Sequence, residues 1–106
     1  SKKQCAKREV MEECGLPELT IVKKIMTSYH TYHQKGRHII KPTSWYLMSV
    51  DEEFSLVPQS NENISKAEWF NLDKIKNEIL INSFPLINEV FAEFIKVAKN
   101  QNIKII

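Results

Sequence analysis

The sequence lacks the features that mark several classes of protein. It has no apolar run approaching the 18 residues of a membrane span, and no internal repeat or low-complexity segment. Only two arginines accompany 13 lysines, and the net charge of +2 does not favour a nucleic-acid-binding surface. The remaining class is one globular domain. Its composition of 42% hydrophobic residues, with ten aromatics, is enough to form a hydrophobic core. We therefore expect neither a membrane nor a nucleic-acid partner.

Cysteine is also scarce, with only Cys5 and Cys14. On a helix this spacing of nine residues places the two thiols on opposite sides and about 13 Å apart along the axis. A disulfide cannot span that separation. We predict two free thiols, which are typical of a reducing cytoplasm.

The most informative segment lies near the N-terminus, at residues 8–16. On a helix with about 100° per residue, Glu9, Glu12 and Glu13 share one side of a single turn. A narrow apolar stripe runs beside them, formed by Ala6, Val10 and Cys14. We expect Gly15 to end this helix, because glycine adopts the left-handed conformation without strain.

The three carboxylates form either a solvated acidic face or a cation site. Repulsion between Glu9 and Glu13 alone costs the helix about 0.2–0.5 kcal/mol. A hard divalent cation reverses that sign, and Mg²⁺ binds carboxylate oxygens while keeping positions for water and phosphate. The apolar stripe beside the carboxylates and the glycine after them favour the cation site.

The segment Arg8-Glu9-Val10-Met11-Glu12-Glu13-Cys14-Gly15-Leu16 resembles the second half of the Nudix box, G-x5-E-x7-R-E-U-x-E-E-x-G-U, where U is aliphatic. Every defined position of that half is met. The earlier Glu of the box falls one residue before Ser1. We therefore interpret residues 1–106 as a single partial Nudix domain from the C-terminal part of a longer protein.

The resemblance implies an α/β (α+β) fold, in which a mixed sheet lies in an α/β/α sandwich whose N-terminal strands are absent from this chain. We expect the signature helix over residues 2–14, the strands within about 19–70 and a C-terminal helix over about 84–99. The similarity covers nearly the whole chain, although only the box is specific.

Local patterns predict the individual elements. A long strand, with or without a bulge, is expected from Leu19 to His33, followed by a turn with Gly36 at positive φ. Pro42 is expected to interrupt the return before an interior strand over residues 44–50. A short strand is predicted at residues 67–70.

Helices are predicted to follow that strand. Asn71 is expected to cap a short helix that ends near Ile79, and Ser83 to cap the last helix, with Pro85 in its first turn. The apolar side of this last helix is predicted to pack on the sheet and consists of Ile87, Val90, Phe91, Phe94 and Ala98.

The resemblance implies an enzyme that performs Mg²⁺-dependent hydrolysis of a pyrophosphate bond in a nucleoside diphosphate linked to another group. Glu9, Glu12 and Glu13 would hold Mg²⁺, or alternatively Mn²⁺, and a water activated there would attack phosphorus. Glu12 or Glu13 would take the proton, or Glu62 from a later loop would do so. Arg8 would hold the carboxylates in place. Ordinary surface roles for Glu62 and Arg8 are the competing interpretations.

Two further alternatives concern function and partners. The hairpin between Tyr29 and Trp45 could bring aromatic rings to a base and cations to phosphates, but a solvated hairpin is the simpler interpretation. His30 and His33 should point to opposite faces of a strand, which does not favour a zinc site. A non-catalytic Nudix-like module is the alternative function, and retention of all three carboxylates favours the enzyme. The expected partners are a nucleotide-type small molecule and a second copy or a retained upstream fragment, which would cover the open sheet edge. The isolated chain is expected to be catalytically poor, because it lacks the upstream Glu of the box.

Overall fold

The computed structural model describes residues 1–60 and 64–101. The main elements are α1 (Lys2–Cys14), β1 (Thr20–Gln34), β2 (Arg37–Ser49), α2 (Leu72–Lys74) and α3 (Pro85–Asn100). Two short helical turns follow α2: Ile75–Ile79 with π geometry and Leu80–Asn82 with 3₁₀ geometry. The fold therefore combines helices with an antiparallel sheet, which confirms the expected α+β class and is consistent with a Nudix-like fold. No helix in the described ranges has both the length and the apolarity needed to cross a bilayer.

Helix α1 has the ends that its sequence predicts. At its start, the Ser1 hydroxyl accepts a hydrogen bond from the Gln4 N–H at 3.3 Å. At its end, Gly15 has φ 67° and donates its N–H to the Met11 carbonyl. This bond satisfies one of the carbonyls left open in the last turn, so Gly15 terminates the helix in the predicted conformation.

A long hairpin is the main feature of the sheet. Strands β1 and β2 pair antiparallel around a two-residue turn in which Lys35 has φ 50° and Gly36 has φ 74°. Two consecutive positive φ values match the twist that tight hairpins require. Register shifts occur between Ile21 and Lys23 and again between Lys24 and Met26. Of the two forms that the sequence left open, the long first strand therefore adopts the one with a bulge.

Two predictions for β2 were wrong. Pro42 does not interrupt the strand, and instead pairs with Tyr29 within a continuous ladder. Each strand of a two-stranded ribbon has a free edge, where a missing N–H removes no ladder bond. Nor is β2 an interior strand within the described part of the chain, because β1 is its only neighbour there. Its apolar residues line an open depression of about 410 Å³ that also includes Val10 and Phe94.

The segment before α2 differs from its prediction. Residues 67–70 form no strand. The Trp69 indole instead donates a hydrogen bond to the Phe54 carbonyl at 2.7 Å, so a side chain rather than a ladder fixes this segment. The predicted cap is confirmed, because the Asn71 side chain accepts from the Lys74 N–H at 2.8 Å. The helical turns then continue three residues beyond the expected end, to Asn82.

Helix α3 packs on both strands, as predicted. It begins at Pro85 without a side-chain cap, and the predicted role of Ser83 was wrong. The Ser83 hydroxyl instead donates to the Ile79 carbonyl at 2.8 Å, which closes the preceding turn. Among the described residues the buried apolar side chains are few: Leu16, Leu19, Leu47, Val90 and Ala98.

Candidate active site

The three carboxylates occupy the last two turns of α1. Glu9 and Glu12 are exposed, whereas Glu13 is half-buried. The apolar stripe beside them is shallower than the sequence suggested, because α1 contains no fully buried residue. Its members are all half-buried: Ala6, Val10 and Cys14. The acidic side therefore borders a partly covered surface that remains open to water.

Two of the carboxylates engage neighbours on the same helix. The Cys5 thiol donates to Glu9 Oε1 at 3.3 Å, and Arg8 Nη1 lies 3.5 Å from Glu12 Oε1. The Cys5 sulfur and then the Glu12 carboxylate raise the pKa of Arg8, so its guanidinium remains charged. Solvent screens this ion pair, so it orients Glu12 more than it stabilises the fold.

The three carboxylates do not converge on one point. In the described part of the chain, no three His, Cys, Asp or Glu side chains come close enough to hold a metal ion. The donors themselves fit a hard divalent cation, because carboxylate oxygens open to water are the ligands that Mg²⁺ prefers. Exposed glutamates can turn toward a shared cation without disturbing the core.

A later loop is fastened to the end of α1. The Val57 N–H donates to the Cys14 carbonyl at 2.9 Å, and the Gln59 N–H donates to the Glu13 carbonyl at 3.1 Å. These bonds satisfy carbonyls that the helix itself leaves unpaired. Gly15 permits the approach, because a Cβ there would lie 2.8 Å from the Val57 Cβ. The sequence did not predict this contact between the loop and α1. Its one indication was Gly15, whose missing Cβ leaves room for Val57.

Glu62 lies outside the described residues, so its role stays a prediction. The described residues on both sides of it are held near α1. Gln59 is bonded to the backbone of Glu13, and the Ile64 N–H donates to the Gln59 carbonyl at 3.4 Å.

Both cysteines are free thiols, as predicted. Cys5 is exposed, whereas Cys14 is half-buried at the end of the stripe. Burial, and then the negative charge of Glu13, raise the pKa of the Cys14 thiol. Cys14 therefore stays neutral near pH 7 and behaves as a small apolar side chain.

Aromatic rings cluster on the distal part of the hairpin. His30 and Tyr32 stack with ring centroids 5.7 Å apart, and His33 stacks on His38 across the two strands at 4.7 Å. The sequence alone placed His30 and His33 on opposite faces, which the register reproduces. It did not reveal the His33–His38 pair, because that pair depends on the register between strands.

A model of the NUDIX domain matches residues 1–90 of the chain. The match includes α1 with its three carboxylates, the whole hairpin and the loop bonded to the carbonyls of Glu13 and Cys14. The chain is therefore a Nudix-type hydrolase domain. It belongs to the NUDIX domain family, as the box predicted. Comparison with curated proteins and with solved structures returned no match.

Proposed function

We propose that the chain carries the catalytic helix of a Mg²⁺-dependent pyrophosphohydrolase acting on a nucleoside diphosphate linked to another group. The observation that carries this proposal is the complete carboxylate turn of Glu9, Glu12 and Glu13 inside the family match. The alternative is a module that binds a nucleotide without hydrolysing it. Such a module needs no intact set of carboxylates, so their retention favours the enzyme.

Each residue has a distinct role in this proposal. Glu9, Glu12 and Glu13 would hold the cation, which when bound neutralises phosphate charge and acidifies water. Arg8 keeps Glu12 oriented through their 3.5 Å contact. A carboxylate must accept the proton of the attacking water, and Glu12, Glu13 and Glu62 are the candidates. The two free thiols support a cytoplasmic location.

Glu12→Gln and Glu13→Gln test the enzyme directly, because each removes a charge but little volume. We expect hydrolysis by the intact protein to fall about 100- to 1,000-fold, equivalent to about 2.7–4 kcal/mol of transition-state stabilisation. Formation of the nucleoside monophosphate from a panel of nucleoside diphosphate derivatives measures it, with circular dichroism to verify folding. Glu89→Gln, an exposed glutamate on α3, is the matched control. Near-full hydrolysis in both test variants would show that these carboxylates are not the catalytic site, and absence of hydrolysis by the unaltered protein would favour the binding module.

Glu62→Gln separates the loop base from a surface carboxylate. If Glu62 accepts the proton, kcat should fall by about 100-fold or more and the acidic limb of the pH–rate profile should move. A loss below about tenfold with an unchanged profile assigns Glu62 to the surface, and the base is then Glu12 or Glu13.

Paramagnetic broadening tests the cation site without turnover. Substoichiometric Mn²⁺ should broaden amide signals around Glu9, Glu12 and Glu13 first. Glu9→Gln should weaken the effect, whereas Glu89→Gln should leave it unchanged. Broadening centred on His30, His33 or His38 would show that the cation binds the hairpin instead.

A further inference from the structure

Positive and negative residues are unevenly distributed along this chain, which the net charge alone does not show. Residues 19–50 contain no Asp or Glu, five Lys or Arg and all three histidines. The rest of the chain has ten Lys or Arg against 13 Asp or Glu, a net charge of −3. The net charge of +2 is thus the sum of a hairpin at +5 and an acidic remainder. The net positive charge of the hairpin therefore favours the binding of anions there.

The distal half of this hairpin projects from the body. We define the arm as residues 29–41, where every residue is exposed except the half-buried Ile39. The buried hairpin residues Ser28 and Leu47 lie on the near side of the arm. The molecule extends 47 Å along its longest axis, and its radius of gyration is 15.3 Å. A compact chain of this length has a radius of about 13 Å, so the arm stands free of the fold.

The strand register divides the arm into two different faces. His30 pairs with Lys41, and Gln34 pairs with Arg37, with the Tyr32–Ile39 pair between them. Since alternate residues share a face, these six side chains form one surface, the cationic face. On it two cations flank the stacked rings of His30 and Tyr32. The opposite face has no lysine or arginine: Tyr29, Thr31, His33, His38, Ile40 and Pro42.

We propose that the cationic face binds single-stranded nucleic acid. Proteins that bind single strands combine cations along the backbone with aromatic rings on which bases stack. Arg37 and Lys41 lie four residues apart on one strand, about 13 Å. The stacked rings lie on the neighbouring strand, with His30 opposite Lys41 and Tyr32 one pair nearer the turn on the same face. The segment has no carboxylate that would repel phosphates. An acidic peptide or a second copy would offer anions but no bases for the rings. No residue of this face belongs to α1 or to the loop bonded to its carboxyl end.

Fluorescence anisotropy with a labelled 12-nucleotide oligothymidine tests the electrostatic part. Binding should weaken as the salt concentration rises. The double variant Arg37→Ala with Lys41→Ala should bind more weakly still. Its slope of log binding constant against log salt concentration should be smaller by about 1.4, or 0.7 per phosphate contact. The matched control is Lys76→Ala with Lys99→Ala, two exposed lysines outside the hairpin. It should leave affinity and slope unchanged. Equal losses in both pairs would overturn a defined face.

Two tyrosines on opposite faces test the stacking part. Tyr32→Ala should lower affinity roughly five- to 150-fold, as expected for the loss of one stacked base. Tyr29→Ala, three residues away on the other face, should change it less than twofold. Equal effects of the two variants would overturn the assignment, as would absence of binding at low salt. Equally effective competition by polyglutamate would show an unspecific polyanion site. A doubled mass in light scattering without oligonucleotide, lost in Arg37→Ala with Lys41→Ala, would assign the arm to a second copy.

Discussion

Gly15 combines two requirements that glycine alone meets. Its φ of 67° lies in the left-handed region, and the Val57 backbone passes close to its Cα. Gly36 shares the first requirement but not the second, since no atom lies within 4 Å of the position of its missing Cβ. The two glycines therefore provide a matched pair.

Gly15→Ala should destabilise the fold more than Gly36→Ala. Both variants place a Cβ in the left-handed region, which costs about 1–2 kcal/mol. Only at Gly15 must Val57 also move, and its hydrogen bond to Cys14 resists that movement. We expect a further loss of about 1 kcal/mol or more, measured by urea unfolding. Equal losses would show that the loop yields freely.

The two thiols should differ in reactivity. Because the pKa of Cys14 is raised, it should react with Ellman's reagent at pH 8 more slowly than the exposed Cys5. Cys5→Ala and Cys14→Ala each leave one thiol and separate the two rates. Similar rates for both thiols would contradict the partly buried position of Cys14.

The same pKa shift has a defined effect on stability. A raised pKa in the folded state favours the neutral thiol, so this contribution is present below the unfolded pKa and is lost as pH rises through the folded pKa. The free energy of unfolding should therefore decline in alkaline solution, above the ordinary thiol range. Cys14→Ala should reduce that decline, whereas Cys5→Ala should not.

At the scale of elements, one side-chain bond joins the two strands at the base of the arm. The Trp45 indole donates to the Ser28 hydroxyl at 2.8 Å, and Ser28 is only 8% exposed. Trp45 pairs with Met26 and Ser28 with Thr43, so the bond crosses the ribbon diagonally. It lies next to buried Leu47, where an unpaired polar group is costly.

Ser28→Ala should cost about 1–3 kcal/mol, because it leaves the indole N–H without its partner. Trp45→Phe removes the other half of the pair. The double variant should lose less unfolding free energy than the two single variants lose together, by about 0.5 kcal/mol or more. Urea unfolding measures all three losses. Ser55→Ala, at an exposed position, is the control. Strict additivity would show that the bond contributes nothing.

At the scale of the whole molecule, the buried core and the projecting arm are different parts of the chain. Five buried apolar residues form the described core, and only Leu16, Leu19 and Leu47 among them precede the last helix. The arm contributes no buried side chain. The body should therefore fold without it.

Deleting residues 31–40 tests this separation. An Asn-Gly turn can join His30 to Lys41, which are already paired, and suits a two-residue hairpin. The free energy of unfolding should change by less than about 1 kcal/mol, because only exposed or half-buried side chains are lost. X-ray scattering should show a smaller radius of gyration. Loss of cooperative unfolding would show that the arm supports the core.

The sequence by itself determined the features that depend on neighbours along the chain. The ends of α1, the left-handed Gly15, the turn at Gly36 and the cap at Asn71 all follow from local conformational preference and hydrogen bonding. The three carboxylates of the Nudix box are likewise visible in the sequence, since their spacing places them on one turn. These features need no knowledge of what packs where.

Only the tertiary structure decided the rest. The unbroken strand through Pro42, the bond that replaces a strand at Trp69 and the loop fastened to Cys14 each depend on partners 13 to 43 residues away. Such contacts leave no periodicity in the sequence. The two faces of the arm also required the register, because a shift of one residue would exchange them. Local preference set the elements, and long-range pairing set the surfaces that they present.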